Sequence, residues 1–173
     1  MPKREVSPER FSLQFRTLYN SEVADGIGGD KSGRVLALDV GKKRIGLAVS
    51  DELGLTAQGI ETLVRTRIRD DLAALQRIAS EWNIQTLLIG KPLHMSGAES
   101  RQSEYTREFG DRLARHLNLP AVYWDERLTS KEAGRLLREG GASLAQSRQA
   151  VDRLSAILIL ESYLGFLQGE IIG

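Results

Sequence analysis

The stretch that decides the fold is Val35–Gly54, "VLALDVGKKRIGLAVSDELG". Its two apolar runs are separated by a glycine and three basic residues, Gly41–Arg44. A short connection that contains glycine, placed between two apolar runs, predicts a β-hairpin. The first run ends on the carboxylate of Asp39, which is costly to bury unless it is paired or binds a metal. The stretch therefore predicts an acidic strand end beside a basic hairpin tip.

Outward from the hairpin, the order of elements predicts an α/β fold. Strands and helices alternate after a third strand, which gives βαβ crossovers and a mixed five-stranded sheet, three antiparallel strands and then parallel ones, flanked by helices. The helices are predicted from apolar residues spaced by three and four. The predicted strands cover 34–39, 45–50, 55–64, 86–90 and 121–126, and the predicted helices cover 68–82, 105–117, 129–140 and 147–167.

The composition of the chain excludes several kinds of site. With no cysteine among 173 residues there is no disulfide, no thiolate nucleophile and no cysteine-based zinc site, and two histidines cannot build a histidine-rich one. A bound metal would have mostly oxygen ligands, which favours Mg²⁺ or Mn²⁺. The net charge of +1 excludes a strongly basic, nucleic-acid-coating protein but allows a local basic patch.

The organisation of the chain is predicted from changes in composition. Residues 1–33 contain "ADGIGGDKSG", which is flexible by composition, and are interpreted as an N-terminal extension. Residues 34–168 form the predicted domain, and 169–173 a C-terminal tail. The apolar runs are too short to span a bilayer, and the start "MPKREVSPERF" has no apolar signal core. We therefore expect a cytoplasmic protein without membrane contact.

Three carboxylates are candidates for one site at the carboxyl edge of the sheet. Asp39 and Glu126 end strands, and Glu126 is expected to face away from its neighbour Asp125. Asp152 lies in the most apolar helix, on a face of small and apolar residues that suggests an inward orientation. Each acid also has a structural interpretation. Asp39 could form a turn, Asp152 could pair with Arg148 or lie in solvent, and Glu126 could pair with Arg127 or Lys131.

Four segments, in order, resemble the YqgF family, also called RuvX, of the ribonuclease H-like superfamily. They are "LALDVGKKRIGLAVSD", "LLIGKPLHMSGAES", "WDERLTSKEA" and "AVDRLSAILILESYL", spread over residues 34–166. One departure is Lys91, which stands where the family pattern has an apolar residue. The resemblance implies a ribonuclease H-like sheet and a metal-dependent nuclease.

The resemblance also implies roles for particular residues. Asp39, Glu126 and Asp152 match the catalytic acids and would hold one or two Mg²⁺ or Mn²⁺ ions. Basic residues around them would bind nucleic acid: Lys42, Lys43, Arg44, Lys91, Arg127 and Lys131. The implied activity is maturation of the 5′ end of pre-16S ribosomal RNA, with resolution of four-way DNA junctions as the alternative. The chain is expected to be a monomer or a weak homodimer, and junction cutting would need a dimer.

Two other classes of protein have features that this sequence shares. Asp-x-Gly in a hairpin also resembles the first phosphate loop of the actin and sugar-kinase ATPases. Those proteins need two lobes, whereas this chain has length for one and no second Asp-x-Gly repeat. A non-catalytic nucleic-acid-binding module is the other alternative, and it predicts binding that does not depend on Asp39 or Asp152.

Overall fold

A mixed β-sheet built around the Val35–Gly54 hairpin is the frame of the protein. The computed structural model describes residues 33–94, 96–126 and 144–169. The strands are β1 (Arg34–Val40), β2 (Arg44–Ser50), β3 (Ala57–Gly59), β4 (Leu63–Val64), β5 (Ile84–Lys91) and β6 (Ala121–Asp125). The helices are α1 (Ile68–Glu81), α2 (Arg101–Leu117) and α3 (Leu144–Leu167).

The strand order is β3-β2-β1-β5-β6, and β4 also pairs with β2. β1 runs antiparallel to β2 and parallel to β5, and β6 runs parallel to β5. The predicted α/β class, with an antiparallel start followed by parallel crossovers, is confirmed. β1 lies between the hairpin partner and the first parallel strand, so its carboxyl end is flanked by strands on both sides.

The third strand differs from the prediction, because the expected strand over 55–64 is divided into β3 and β4. Gly59 pairs with Ala48, whereas Leu63 pairs with Ile45, so one extra residue lies between the two segments. Such an insertion is a β-bulge, which bends the edge strand. Beside it the hydroxyl of Thr62 donates a hydrogen bond to the carbonyl of Gln149 in α3, at 3.3 Å. The bulge therefore turns the edge of the sheet towards the last helix.

The two faces of the sheet have different coverings. Alternate residues of β1, Leu36, Leu38 and Val40, belong to a buried apolar cluster with residues of α1 and α2. The other face carries Ala37 and Asp39 and is covered by α3, which packs on β1, β2 and β3. Because side chains alternate along a strand, Asp39 faces α3 and not the larger core.

Local signals explain where α2 begins and ends. α2 begins four residues before the predicted start at Tyr105, because Ser100 and Ser103 form a capping box. It ends at Asn118, which adopts the left-handed conformation with φ 53°.

The predicted helix over 129–140 lies outside the described residues, as do 1–32 and 170–173, so the extension and the tail stay predictions. Within 33–94, 96–126 and 144–169, no helix is both long and apolar enough to cross a membrane.

Candidate active site

Asp39 lies near the carboxyl end of β1, between glycines of the two neighbouring strands. Gly46 of β2 is its antiparallel register partner. On the other side, Leu38 pairs with Ile89 of β5, so Gly90 follows beside Asp39. The face of the sheet around Asp39 therefore has no side chain on either flank.

These two glycines make room for the elements that carry the other acids. A Cβ atom added to Gly46 would lie 2.0 Å from the backbone carbonyl oxygen of Asp152. A Cβ atom added to Gly90 would lie 2.6 Å from Oε1 of Glu126 and 2.5 Å from Cδ1 of Ile159. Real Cβ atoms do not approach other atoms this closely. The missing side chains thus allow the α3 backbone and the Glu126 carboxyl group to reach the end of β1.

Asp39 and Glu126 form a hydrogen-bonded carboxyl pair. The pKa of Asp39 is raised to about 6, first by burial and then by the charge of Asp152, while hydrogen bonds from Glu126 and Ser155 act in the opposite direction. The pKa of Glu126 is raised to about 8, first by burial, then by the charge of Asp39 and the hydrogen bond it donates to Asp39, and last by Asp125. At neutral pH the pair therefore holds one proton.

Asp152 points inward from α3 and is bound by a basic residue of the hairpin. Nε of Arg44 donates a hydrogen bond to Oδ2 of Asp152 at 2.6 Å, with 29% and 20% of the two side chains exposed. Arg148, the partner considered from the sequence, is exposed on the same helix, and among the described residues the ion pair of Asp152 is with Arg44. The structure thus brings all three predicted acids to one region.

The donor chemistry of this region fits a hard divalent cation, although its present arrangement is incomplete as a metal centre. The available ligands are carboxylate oxygens, and those of Asp39 and Glu126 are partly buried and repel each other when both groups are ionised. Within the part of the chain that the structure describes, no group of three or more acidic or histidine side chains surrounds a common point. The oxygens of Asp39, Glu126 and Asp152 are donors of the kind that such a cation prefers, but Asp39 and Glu126 are hydrogen-bonded to each other and Asp152 is bonded to Arg44.

The predicted nucleic-acid-binding residues have different surroundings. Lys42 and Lys43 are exposed at the hairpin tip. Lys91, at the end of β5, forms an ion pair with Glu99, and Arg107 also contacts Glu99 at 3.3 Å. Arg44 is engaged by Asp152, as described above. Arg127 and Lys131 lie outside the described residues, so their placement stays a prediction.

A buried arginine, Arg65, supports the hairpin tip and was not singled out from the sequence. Its backbone N–H donates to the carbonyl of Lys43 at 2.9 Å, and its Nη1 donates to the carbonyl of Gly41 at 3.0 Å. Nη1 also donates to the hydroxyl of Tyr105, and the guanidinium lies 4.7 Å from the ring centre of Phe109. These contacts fix the backbone that carries Lys42 and Lys43.

The partner of Arg65 is Asp71, whose side chain is 2% exposed. Nε of Arg65 donates to Oδ2 of Asp71 at 3.0 Å, and the N–H of Thr66 donates to Oδ1 at 2.9 Å. Asp70 and Asp71 both lie in the first turn of α1, where the helix dipole favours acidic side chains. No local pattern in the sequence indicates this arginine network, because its contacts join the hairpin tip, the loop before α1, α1 itself and α2.

Comparison with known proteins finds a matching family model and relatives with similar sequences. A family model described as "RuvX: Holliday junction resolvase" matches residues 33–165. A protein of Koribacter versatilis is 52% identical over 132 residues, which cover 76% of this chain and 86% of that protein. One of Agathobacter rectalis is 42% identical over 140 residues, which cover 79% and 98%. Both relatives are provisionally named pre-16S rRNA nucleases.

Two solved structures of RuvC from Thermus thermophilus share the fold. The one in complex with a Holliday junction substrate matches with a TM-score of 0.52 and covers 76% of this chain and 94% of that chain. The other matches with a TM-score of 0.50 and covers 75% and 94%. Sequence identity is 12% in both cases, so the likeness concerns the ribonuclease H-like fold alone.

Proposed function

The chain belongs to the RuvX family, and from this membership we propose that it is a divalent-metal-dependent nuclease that hydrolyses phosphodiester bonds in pre-16S ribosomal RNA. The observation that carries the proposal is the convergence on Asp39. Two glycines clear its flanks, and Glu126 and the backbone of Asp152 occupy the space. Three acids at one strand end do not stabilise the fold, because their mutual repulsion opposes folding. Their convergence therefore favours a functional role.

Asp39 and Glu126 are the proposed ligands of one or two Mg²⁺ or Mn²⁺ ions, with Asp152 as the third. When bound, such ions activate a water nucleophile and stabilise the charge that develops on the phosphate oxygens. Asp39 and Glu126 must first release the proton that they share, so we expect cation affinity to rise with pH. The two carboxyl groups thus hold a proton or a metal at the same atoms.

The basic residues are proposed to bind and orient the substrate backbone. Lys42 and Lys43 lie in the connection between β1 and β2, close in sequence to Asp39. Their exposed ammonium groups are proposed to bind phosphates. Lys91 lies at the end of β5, on the next strand beyond Asp39. Arg127 and Lys131 complete the predicted set. Phosphate contacts of this kind set the position of the strand to be cut but carry no base specificity.

The test is cleavage of an end-labelled 16S rRNA leader with Mn²⁺, comparing wild type with Asp152→Asn. Loss of cleavage is expected, because the substitution removes one proposed ligand. Glu161→Gln is the matched control, since Glu161 is an exposed acid on the same helix. Equal cleavage by all three proteins would contradict the proposal. Leader binding that is unchanged in Asp39→Asn, without any turnover in wild type, would instead support a non-catalytic binding module.

Resolution of four-way DNA junctions is the second candidate, favoured by the family model, which is described as a Holliday junction resolvase. A synthetic junction assayed beside the RNA leader separates the two substrates. Paired cuts in a junction need two sites related by symmetry. We propose a monomer or weak homodimer in the cytoplasm, and the mass in solution with and without junction DNA tests the oligomeric part. A stable dimer that cuts the junction but leaves the leader intact would favour the second candidate.

A further inference from the structure

The ion pair between Arg44 and Asp152 places a cation at a proposed metal ligand. Its hydrogen bond, 2.6 Å long, has the short distance of a charge-assisted contact. Both side chains are mostly shielded from solvent, which strengthens their attraction relative to a surface pair. Arg44 is therefore expected to bind the Asp152 carboxylate more strongly than a solvent-exposed arginine would.

Both ends of this pair are fixed by the packing around Gly46. Arg44 and Gly46 are on the same face of β2, since side chains alternate along a strand. The backbone of Asp152 sits against Gly46, so the carboxylate starts from a set position beside Arg44. The neighbouring basic residues, Lys42 and Lys43, are exposed, which shows that the hairpin does not require its cations to turn inward.

We propose that Arg44 is an internal counter-ion of Asp152 and competes with the divalent cation for this carboxylate. The inference rests on the proposed function, because it takes Asp152 as a ligand. The guanidinium neutralises the carboxylate, occupies Oδ2 and repels a divalent cation at the same group, so the two cations compete for Asp152. Once released, the guanidinium of Arg44 lies at the base of the tip that carries Lys42 and Lys43, where a phosphate group can bind it bidentately.

The experiment is a calorimetric titration of Mn²⁺ into wild type, Arg44→Gln and Arg148→Gln, without nucleic acid. Removing the competitor should tighten Mn²⁺ binding about tenfold, the size expected when a charge-assisted hydrogen bond no longer opposes binding. Arg148→Gln is the matched control. It removes an exposed positive charge on α3, one turn from Asp152, and we expect a change of about twofold or less. Arg44→Gln that binds Mn²⁺ more weakly than wild type, or only as the control does, would overturn the proposal.

Thermal unfolding supplies a second measurement that does not depend on activity. In EDTA, Arg44→Gln should melt below wild type because Asp152 loses its counter-ion. Saturating Mn²⁺ should then raise the melting temperature of Arg44→Gln by more than it raises that of wild type. If Arg44 only supported the packing of α3, the increment from Mn²⁺ would be the same in both proteins.

A double-mutant cycle separates this inference from the proposed function. In an Asp152→Asn background, Arg44→Gln should no longer tighten Mn²⁺ binding, because the residue for which it competes is gone. Asp39→Asn tests the metal site itself. If Asp39→Asn binds Mn²⁺ as wild type does, the proposed function fails. If Asp39→Asn loses binding but Arg44→Gln shows no gain over wild type, the counter-ion role alone fails.

Discussion

Replacing Gly46 by alanine tests whether the close approach of α3 sets the position of Asp152. The new Cβ atom would lie 2.0 Å from the carbonyl oxygen of Asp152 and 2.5 Å from its carbonyl carbon. Backbone atoms in the middle of a helix cannot rotate away as a side chain can. The helix must therefore move off the sheet by about 1.4 Å, from 2.0 Å to the 3.4 Å at which ordinary contacts begin.

Gly59→Ala is the matched control, because Gly59 lies under the same helix on β3. Its new Cβ atom would meet side-chain atoms instead of backbone, at 2.5 Å from Cγ of Arg153 and 2.8 Å from Cδ1 of Ile157. The Arg153 side chain is exposed and can adopt another rotamer. Neither Gly46 nor Gly59 has a positive φ, so alanine fits the backbone at both positions.

The expected magnitudes follow from this difference between backbone and side-chain contacts. Overpacking costs about 1–3 kcal/mol, and Gly46→Ala should lie at the upper end, while Gly59→Ala should cost about 1 kcal/mol or less. For a domain of this size, that corresponds to a melting temperature about 6–12 °C lower for Gly46→Ala. A shift of Asp152 by more than about 1 Å should also reduce Mn²⁺-dependent cleavage at least about a hundredfold.

Calorimetric unfolding gives the stability of each variant, and cleavage of the RNA leader is measured well below both melting temperatures. Gly46→Ala that unfolds within 1 °C of wild type and cleaves normally would refute the reasoning, because the helix would then have tolerated the extra atom. Equal losses in the two variants would also refute it, since the backbone contact would have no special effect.

Three further predictions concern the carboxyl pair, the arginine network and the strand-helix contact at Trp124. Because the pKa values of Asp39 and Glu126 are raised above those of the unfolded chain, the contribution of these two groups to the stability of the metal-free protein should be fully present below the unfolded values and be lost as pH rises towards about 8. Urea unfolding should show this loss of stability between about pH 6 and 8, and Glu126→Gln should reduce it. Arg65→Gln should destabilise the fold by about 3–5 kcal/mol, since it leaves Asp71 buried without its counter-ion, whereas Arg67→Gln, at an exposed neighbouring position, should change stability by about 0.5 kcal/mol or less in the same denaturant titration. Ser162→Ala should cost about 1 kcal/mol, because Nε1 of Trp124 donates to Oγ of Ser162 at 3.1 Å inside the α3 packing, and an unchanged melting temperature would contradict this.

The hairpin and its acid were predictable from sequence, because the information is local. Gly41–Arg44 is a short connection between apolar runs, and period-2 alternation decides which face Asp39 occupies. The inward orientation of Asp152 was also indicated by its helix neighbours, Ser155 and Ala156. Each of these inferences needs only residues within one or two turns of the chain.

Other features of the site depend on pairing between distant segments and were not predicted. Arg44 was expected at the surface with Lys42 and Lys43, but its partner lies 108 residues later. Asp71 stands at the start of its helix, a common position for an exposed acid, although burial against Arg65 determines its role. In both cases the residue types are typical of an exposed position, and only the packing of separate elements shows otherwise.

The position of α3 as the last described helix of the chain has a consequence for folding during translation. Asp39 belongs to the first strand, whereas Asp152 arrives with the last helix, so the acids meet only through contacts of high sequence separation. During synthesis the hairpin and the parallel strands can assemble before α3 covers the face of the sheet beside Gly46. The proposed site is complete only when α3 docks, so we expect a chain that still lacks α3 on the ribosome not to cut the RNA around it.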